Sequence, residues 1–233
     1  MTTGYHAHLA RARTFPDQGA ANRYYRRNAG PLLAGLPDGP VLDLGCGMGD
    51  FLLYCTQELG REARGVDLDA ENVALCRELG LEVAQESAQE CLARAAQCAA
   101  VVMNDVIEHF PKAEIIPLLS LVRERLVPGG VVLLKTPNMS NPLTAARNFH
   151  MDFTHQTGFT EETMIYVLEQ AGFDGIRVEP VDIYVTRNPI ANLGGRVLSA
   201  LLYANWRFWY KVQGVPRVRV LTKGLLGCGT KAE

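Results

Sequence analysis

Three stretches of this sequence carry residue types at spacings that could do chemistry. The first is Asn104-Asp105-Val106-Ile107-Glu108-His109-Phe110, where Asp105, Glu108 and His109 stand at i, i+3 and i+4. On one helical turn these three side chains would share a face. Two carboxylates and an imidazole there would suit a divalent cation. The second is "NFHMDFTHQTGFTEE", which contributes His150, Asp152 and His155. An imidazole in such a cluster can act as ligand or as general base. The third is "VLDLGCGMGDF", Val41 to Phe51, a glycine-rich turn behind an apolar run. Glycines let a backbone approach a ligand closely. Their order is Gly45, Gly47, Gly49, or G-x-G-x-G. The dinucleotide fingerprint needs G-x-G-x-x-G, and a P-loop needs a following lysine that is missing here.

The elements that must position these groups alternate from Pro40 to Pro137. Short apolar runs read as strands: "PVLDL", "EARGVD", "LEVAQ", "AAVVMND" and "GGVVLLKT". Helical stretches separate them near residues 49–60, 70–79, 88–96 and 111–126. Such alternation argues for a parallel sheet covered on both faces. Pro111 marks a helix start, and Gly129-Gly130 marks the expected end of that helix. A further helix is expected from Thr160 to Ala171 with an acidic first turn. A strand in "FDGIRVEPVDIYV" and a last strand in "GLLGCGT" follow. The chain of 233 residues is long enough for one large domain with a full core. Hydrophobic content of 48% and charged content of 21% fit a soluble globular protein. The six cysteines, Cys46, Cys55, Cys76, Cys91, Cys98 and Cys228, show no C-x-x-C spacing, against a zinc ribbon or thioredoxin-type motif. The start of the chain is polar, with His6, His8, Arg11 and Arg13, so no signal peptide is expected. No apolar run reaches the roughly 18 residues of a transmembrane helix. A reduced, cytoplasmic setting is expected.

Asp43-x-Gly45-x-Gly47-x-Gly49 resembles motif I of class I S-adenosylmethionine (SAM) methyltransferases. "AQESAQE" after the third strand, "AAVVMNDVIEHF" and "LVPGGVVLLKTPN" resemble the later motifs of that family. The resemblance covers roughly residues 25 to 185. It implies a Rossmann-like, doubly wound, seven-stranded and mostly parallel sheet. It also implies SAM as cofactor. Asp43 would hold the amino-acid end, with Gly45, Cys46, Gly47 and Gly49 forming the loop. Asp67, 18 residues after Gly49, would bind the ribose hydroxyls, beside Leu68. Glu86 and Ser87 would contact adenine, and Asn104 would border the cofactor. The D-V-I-E-H stretch with its later histidine is similar to metal-dependent O-methyltransferases, namely the plant small-RNA 2′-O-methyltransferases and the ubiquinone-biosynthesis enzymes. By that resemblance Asp105, Glu108, His109 and His155 would hold Mg2+ or Mn2+, with His150 or Asp152 competing with His155. Without a metal, His155, His109 and Asp105 would be the catalytic groups.

The net charge of −2 argues against a general nucleic-acid binder, but it hides an asymmetry. From Arg187 onward the chain carries eight Lys or Arg against one acid, a balance of +7, leaving −9 on the first 186 residues. Five of the eighteen aromatic residues lie between Tyr203 and Tyr210. Leu198, Leu201, Leu202, Trp209 and Val212 fall near one helical face. Residues 191–213 could therefore pack on the domain, on a second copy in a homodimer, or on a membrane from its cytoplasmic side. The expected organisation is one domain over 1–233, with an N-terminal helical cap over about 1–36 and a helical insertion over about 187–222. The whole arrangement resembles bacterial methyltransferases of polysaccharide and glycolipid pathways, which implies O-methylation of a sugar or glycolipid hydroxyl. The alternatives are a quinone-type phenol or small amine acceptor, or a SAM-binding partner subunit without catalysis.

Overall fold

The computed structural model describes residues 15–215 and 218–232. Two helices lead in, α1 (Gln18–Asn28) and the single turn α2 (Gly30–Leu33). The first fourteen residues of the expected N-terminal cap lie outside the described residues. Strand β1 (Val41–Leu44) is followed by α3 (Asp50–Leu53), which widens into a π-helical turn over Tyr54–Glu58. Then come β2 (Ala63–Asp67), α4 (Ala70–Glu78), β3 (Glu82–Gln85), α5 (Ala88–Arg94) and β4 (Cys98–Asn104). Helix α6 (Lys112–Arg125), β5 (Leu126–Pro137), α7 (Ala145–His150), α8 (Glu161–Gln170) and β6 (Asp174–Pro180) follow. The long helix α9 (Pro189–Val212) stands between β6 and the last strand, β7 (Gly224–Thr230).

The seven strands form one sheet in the order β3-β2-β1-β4-β5-β7-β6. All neighbours are parallel except β7, which runs antiparallel to both β5 and β6. The strands β1 and β4 are buried almost end to end because helices cover both faces of the sheet. One core layer joins Tyr25, Leu33, Phe51, Tyr54 and Val73 to one face of the sheet. The other joins Leu92, Ile115, Leu119, Met164 and Leu168 to the opposite face. Two helices start on side-chain caps that their sequences spell out. Ser87 and Glu90 make a reciprocal capping box on α5, and Thr160 with Thr163 does the same on α8.

Two boundaries differ from the sequence reading. Helix α6 ends at Arg125, not at Gly129-Gly130. Those glycines instead form an irregularity inside β5, where its register against β4 shifts between Cys98 and Ala100. Gly129 has φ +74°, and a Cβ on Gly130 would sit 2.8 Å from the Val127 carbonyl oxygen. Glycine is what such a bulge tolerates. Strand β6 ends at Pro180, five residues early. Past it the Asp182 N–H donates to Asn28 Oδ1 at 2.7 Å, so this segment ties to α1 and leaves the sheet.

Beyond β5 the chain is pegged by two buried asparagines. Asn138 Nδ2 donates to the carbonyls of Val220 (3.0 Å) and Thr222 (2.9 Å), and Asn141 Nδ2 donates to Leu221 (2.8 Å). Replacing Asn138 with Ala would orphan buried carbonyls, so Asn138→Ala should cost about 1–3 kcal/mol. Urea unfolding should then show a lower midpoint at an unchanged m-value.

Candidate active site

A cleft of about 920 Å3 lies at the carboxyl ends of β1, β4 and β5. The strand order reverses between β1 and β4, which is where open α/β sheets bind ligands. The glycine turn forms one wall. Gly45, Gly47 and Gly49 all take left-handed backbone, with φ of +75°, +53° and +81°. The turn is pinned to β2, because the Gly45 and Cys46 N–H groups donate to the Val66 carbonyl at 2.8 and 2.9 Å. A Cβ on Gly45 would meet Val106 Cγ2 at 2.5 Å, and one on Gly49 would meet Leu81 Cδ1 at 2.6 Å. On Gly47 it would meet nothing within 4 Å. Gly45 and Gly49 therefore serve packing, and Gly47 leaves backbone open beside the cleft. Asp67 supports this turn: its Oδ2 accepts from Gly47 N (2.8 Å) and its Oδ1 from Asp69 N (2.9 Å).

Asp43 is buried inside β1, only 1% exposed. Burial, with the nearby Asp67 and Cys76 adding to it, raises its pKa to about 8. Its Oδ1 has no hydrogen-bond partner, nor do Asn104 Nδ2 and Glu108 Oε1, and all three residues line the cleft. An orphaned carboxylate oxygen calls for a cation or donor, and an orphaned amide N–H calls for an acceptor. The amino-acid end of SAM carries both an ammonium and a carboxylate, so this donor set fits it.

The second polar constellation forms where two loops are laced together. Glu108 O accepts from Gln156 N (2.8 Å) and Thr157 N (3.0 Å). Gln156 Nε2 donates to His109 O and Thr157 Oγ1 donates to Phe110 O, each at 2.8 Å. This lacing brings the rings of His109 and His155 to 4.8 Å between centroids, edge to face. Thr154 Oγ1 lies 2.6 Å from Asp152 Oδ1 and 2.7 Å from His109 Nδ1. With the hydroxyl proton committed to the carboxylate, Thr154 accepts from His109 Nδ1–H. His155 Nδ1 faces the Phe149 carbonyl at 3.2 Å, which can only accept. Both imidazoles are thereby assigned the Nδ1–H tautomer, leaving bare Nε2 atoms. Burial and the neighbouring His155 hold the His109 pKa below its usual value, favouring the neutral ring. Ligand atoms of Glu108, His109 and His155 all lie within 4.8 Å of one another. Glu108 is buried, accepts from Thr136 Oγ1 at 3.0 Å, and has its pKa raised to about 8 by burial and by Asp105.

Asp105 departs from the expected shared face. Only Ile107–His109 makes a turn, of 3-10 type, and Asp105 precedes it with φ +54°. That left-handed backbone, rare for a non-glycine residue, sends its carboxylate to Lys135 in an ion pair. Asp105 thus lines the cleft outside the Glu108–His109–His155 group. Burial works against the Lys135 ammonium, but Asp105 outweighs it and the pKa is raised. Asp152 likewise is not one of the three converging groups; it holds Thr154, as above. His150 packs edge-on against Phe149. Leu68 is 73% exposed, Glu86 pairs with Arg94, and the Ser87 hydroxyl caps α5. None of these three is among the described residues lining the cleft. Sequence reading passed over Lys135 and Thr154. A lysine inside the apolar run "VVLLKT" was the available signal for the first; nothing local marked the second.

A model of the methyltransferase domain matches residues 18–178. Among solved structures, a SAM-dependent methyltransferase from Archaeoglobus fulgidus superposes with TM-score 0.67 at 23% identity, covering 92% of this chain and 95% of that one. Phosphoethanolamine N-methyltransferase 2 of Haemonchus contortus, in complex with SAM, gives 0.60 at 17% identity over 95% and 59% of the two chains. The cyclopropane synthase MmaA2 from Mycobacterium tuberculosis gives 0.57 at 17% over 93% and 82%. No curated protein sequence matches this chain.

A cofactor ammonium held at the buried Asp43 would make binding depend on pH. Its carboxyl stays protonated up to about pH 8, whereas an ammonium ligand wants it ionised. SAM affinity should rise by up to about tenfold per pH unit from pH 6 toward 8. It should fall again once the ligand's own α-amino group deprotonates, ordinarily near pH 8. Calorimetry should detect proton release on binding in that range, and Asp43→Asn should remove both the release and the rise.

Proposed function

Because the chain belongs to the methyltransferase domain family and is a SAM-dependent methyltransferase, we propose that its acceptor is a hydroxyl on a sugar or glycolipid. The observation that carries this reading is the pair of imidazoles 4.8 Å apart on the cleft wall, each with its Nδ1 tied back. The bound donor supplies a methyl group on a good leaving group. The protein's own task is then to orient the acceptor and take its proton. An unactivated sugar hydroxyl needs a base; a phenol or an amine needs less help. His155 Nε2 receives the hydroxyl proton in this reading. His109, held by Thr154 and Asp152, orients the acceptor oxygen beside it. Asp43, Asn104 and the Gly45–Gly49 turn hold the amino-acid end of the cofactor, and Asp67 its ribose. A cleft lined by Asp105, His109 and His155 opposes the reading of a subunit without catalysis.

A second reading is favoured by the convergence of Glu108, His109 and His155. A divalent cation there would lower the pKa of the acceptor hydroxyl and replace the free base. Two imidazoles and one carboxylate suit a first-row transition ion better than Mg2+. A glycolipid acceptor would bring the protein to a membrane face, with residues 191–213 as the contact surface; among the described residues no helix is long and apolar enough to cross.

His155→Ala should bind SAM as the native protein does and lose about 10²- to 10⁴-fold in methyl transfer, measured with isotope-labelled SAM. Full activity in this variant would remove the base. Loss of native activity in EDTA, restored by Mn2+, would make His155 a ligand with Glu108 and His109.

A further inference from the structure

Helix α9 turns its apolar side away from the protein. Its half-buried positions are Asn192, Gly195, Ser199, Tyr203, Trp206 and Tyr210, spaced by three and four residues along one stripe. That stripe seats the helix. A Cβ on Gly195 would lie 2.3 Å from the Tyr184 ring, Ser199 Oγ donates to the Tyr184 hydroxyl at 3.0 Å, and Tyr210 Oη donates to Ser140 O at 3.0 Å. The opposite face carries Ile190, Val197, Leu201, Phe208 and Val212, all at least half exposed. None of the 24 residues is buried. Leu198 and Trp209 widen the apolar face on one side. At 100° per residue, Arg196, Arg207 and Lys211 fall along its other edge. The Arg207 guanidinium rests on the neutral carbonyls of Val218 and Arg219, so its charge is kept.

We propose that α9 docks on an anionic membrane surface, its outer apolar face at the acyl-chain boundary and Arg207 and Lys211 toward lipid phosphates. An amphipathic helix with one basic edge and a Trp-bearing apolar face lies in that interface. Charge decides against a second copy as the occupant. A two-fold pair would set this helix against itself. Arg196 is already paired with Asp182, but each copy would still bring Arg207 and Lys211, and α9 contains no acid to answer them.

The seat of α9 also belongs to the cleft. Ile183, Val185 and Arg187, around the Tyr184 that holds the helix, line it, as does Pro137, just before the loop that Tyr210 grips. A helix lying on a membrane would therefore keep the cleft next to a membrane-borne acceptor. The purpose of this docking rests on the glycolipid reading above, but its test does not, because vesicles need no acceptor.

Co-sedimentation of the full chain with phosphatidylcholine vesicles, with and without phosphatidylglycerol, decides it. Binding should require phosphatidylglycerol, weaken at high salt, and shift tryptophan emission to the blue. The exposed double substitution Val197→Ser/Leu201→Ser should lower partitioning by about tenfold or more. Lys211→Glu should lower it by about fivefold or more. Methyl transfer to a soluble acceptor should be unchanged in both variants. Absence of binding to anionic vesicles at low salt would overturn the proposal. So would a dimer in light scattering that the two serines dissolve. Failure of methyl transfer to any sugar, with vesicle binding intact, would sink the acceptor reading alone.

Discussion

Asp43 is a carboxyl group set inside a strand buried on both faces, and the rest of the cleft is arranged around that constraint. Folding alone would favour an apolar residue there. Burial instead lifts its pKa to about 8 and leaves Oδ1 without a partner, at a cost of about 1–3 kcal/mol. The three left-handed glycines curl the chain away directly above it, and Asp67 secures that curl through Gly47. A cationic ligand would relieve the carboxyl. Stability withheld at one position and recovered on binding is what a ligand site does to an otherwise consistent fold.

The histidine side of the cleft depends on a different device. His109 and His155 come from segments 46 positions apart in sequence, one ending a single 3-10 turn and the other in a loop. Four hydrogen bonds between 108–110 and 156–157 supply the alignment. The Asp152–Thr154–His109 chain then fixes one ring, and the Phe149 carbonyl fixes the other. Holding each ring through its Nδ1, one by the Thr154 hydroxyl and one by the Phe149 carbonyl, leaves both Nε2 atoms uncommitted. That is the state required of either a base or a ligand.

Much of this was legible in the sequence, because the signals are local. The G-x-G-x-G spacing, the acid ending β2 and the alternation of apolar runs with helices each depend on a few neighbouring residues. The seven-stranded, mostly parallel sheet followed from the family resemblance those motifs support. The misreadings have non-local causes. Asp105 fits a helical spacing, yet its positive φ and its attraction to Lys135, thirty positions on, take it off the face. Gly129-Gly130 reads as a helix stop, but the strand had already begun and needed glycine for a register shift. For α9, periodicity reveals a stripe but not its direction. The domain receives the stripe of Tyr203, Trp206 and Tyr210, and the more apolar face, with Leu201 and Phe208, is left outside.

The central claim is that the two imidazoles serve methyl transfer to a sugar oxygen. The most direct measurement is to incubate the protein with 13C-methyl-labelled SAM and a panel of glycans, glycolipids, phenols and amines, then locate the label in the product by NMR. The account predicts an O-methyl ether on a sugar ring and little label on phenol or amine. Label on nitrogen, or no transfer to any acceptor despite tight SAM binding, would contradict it.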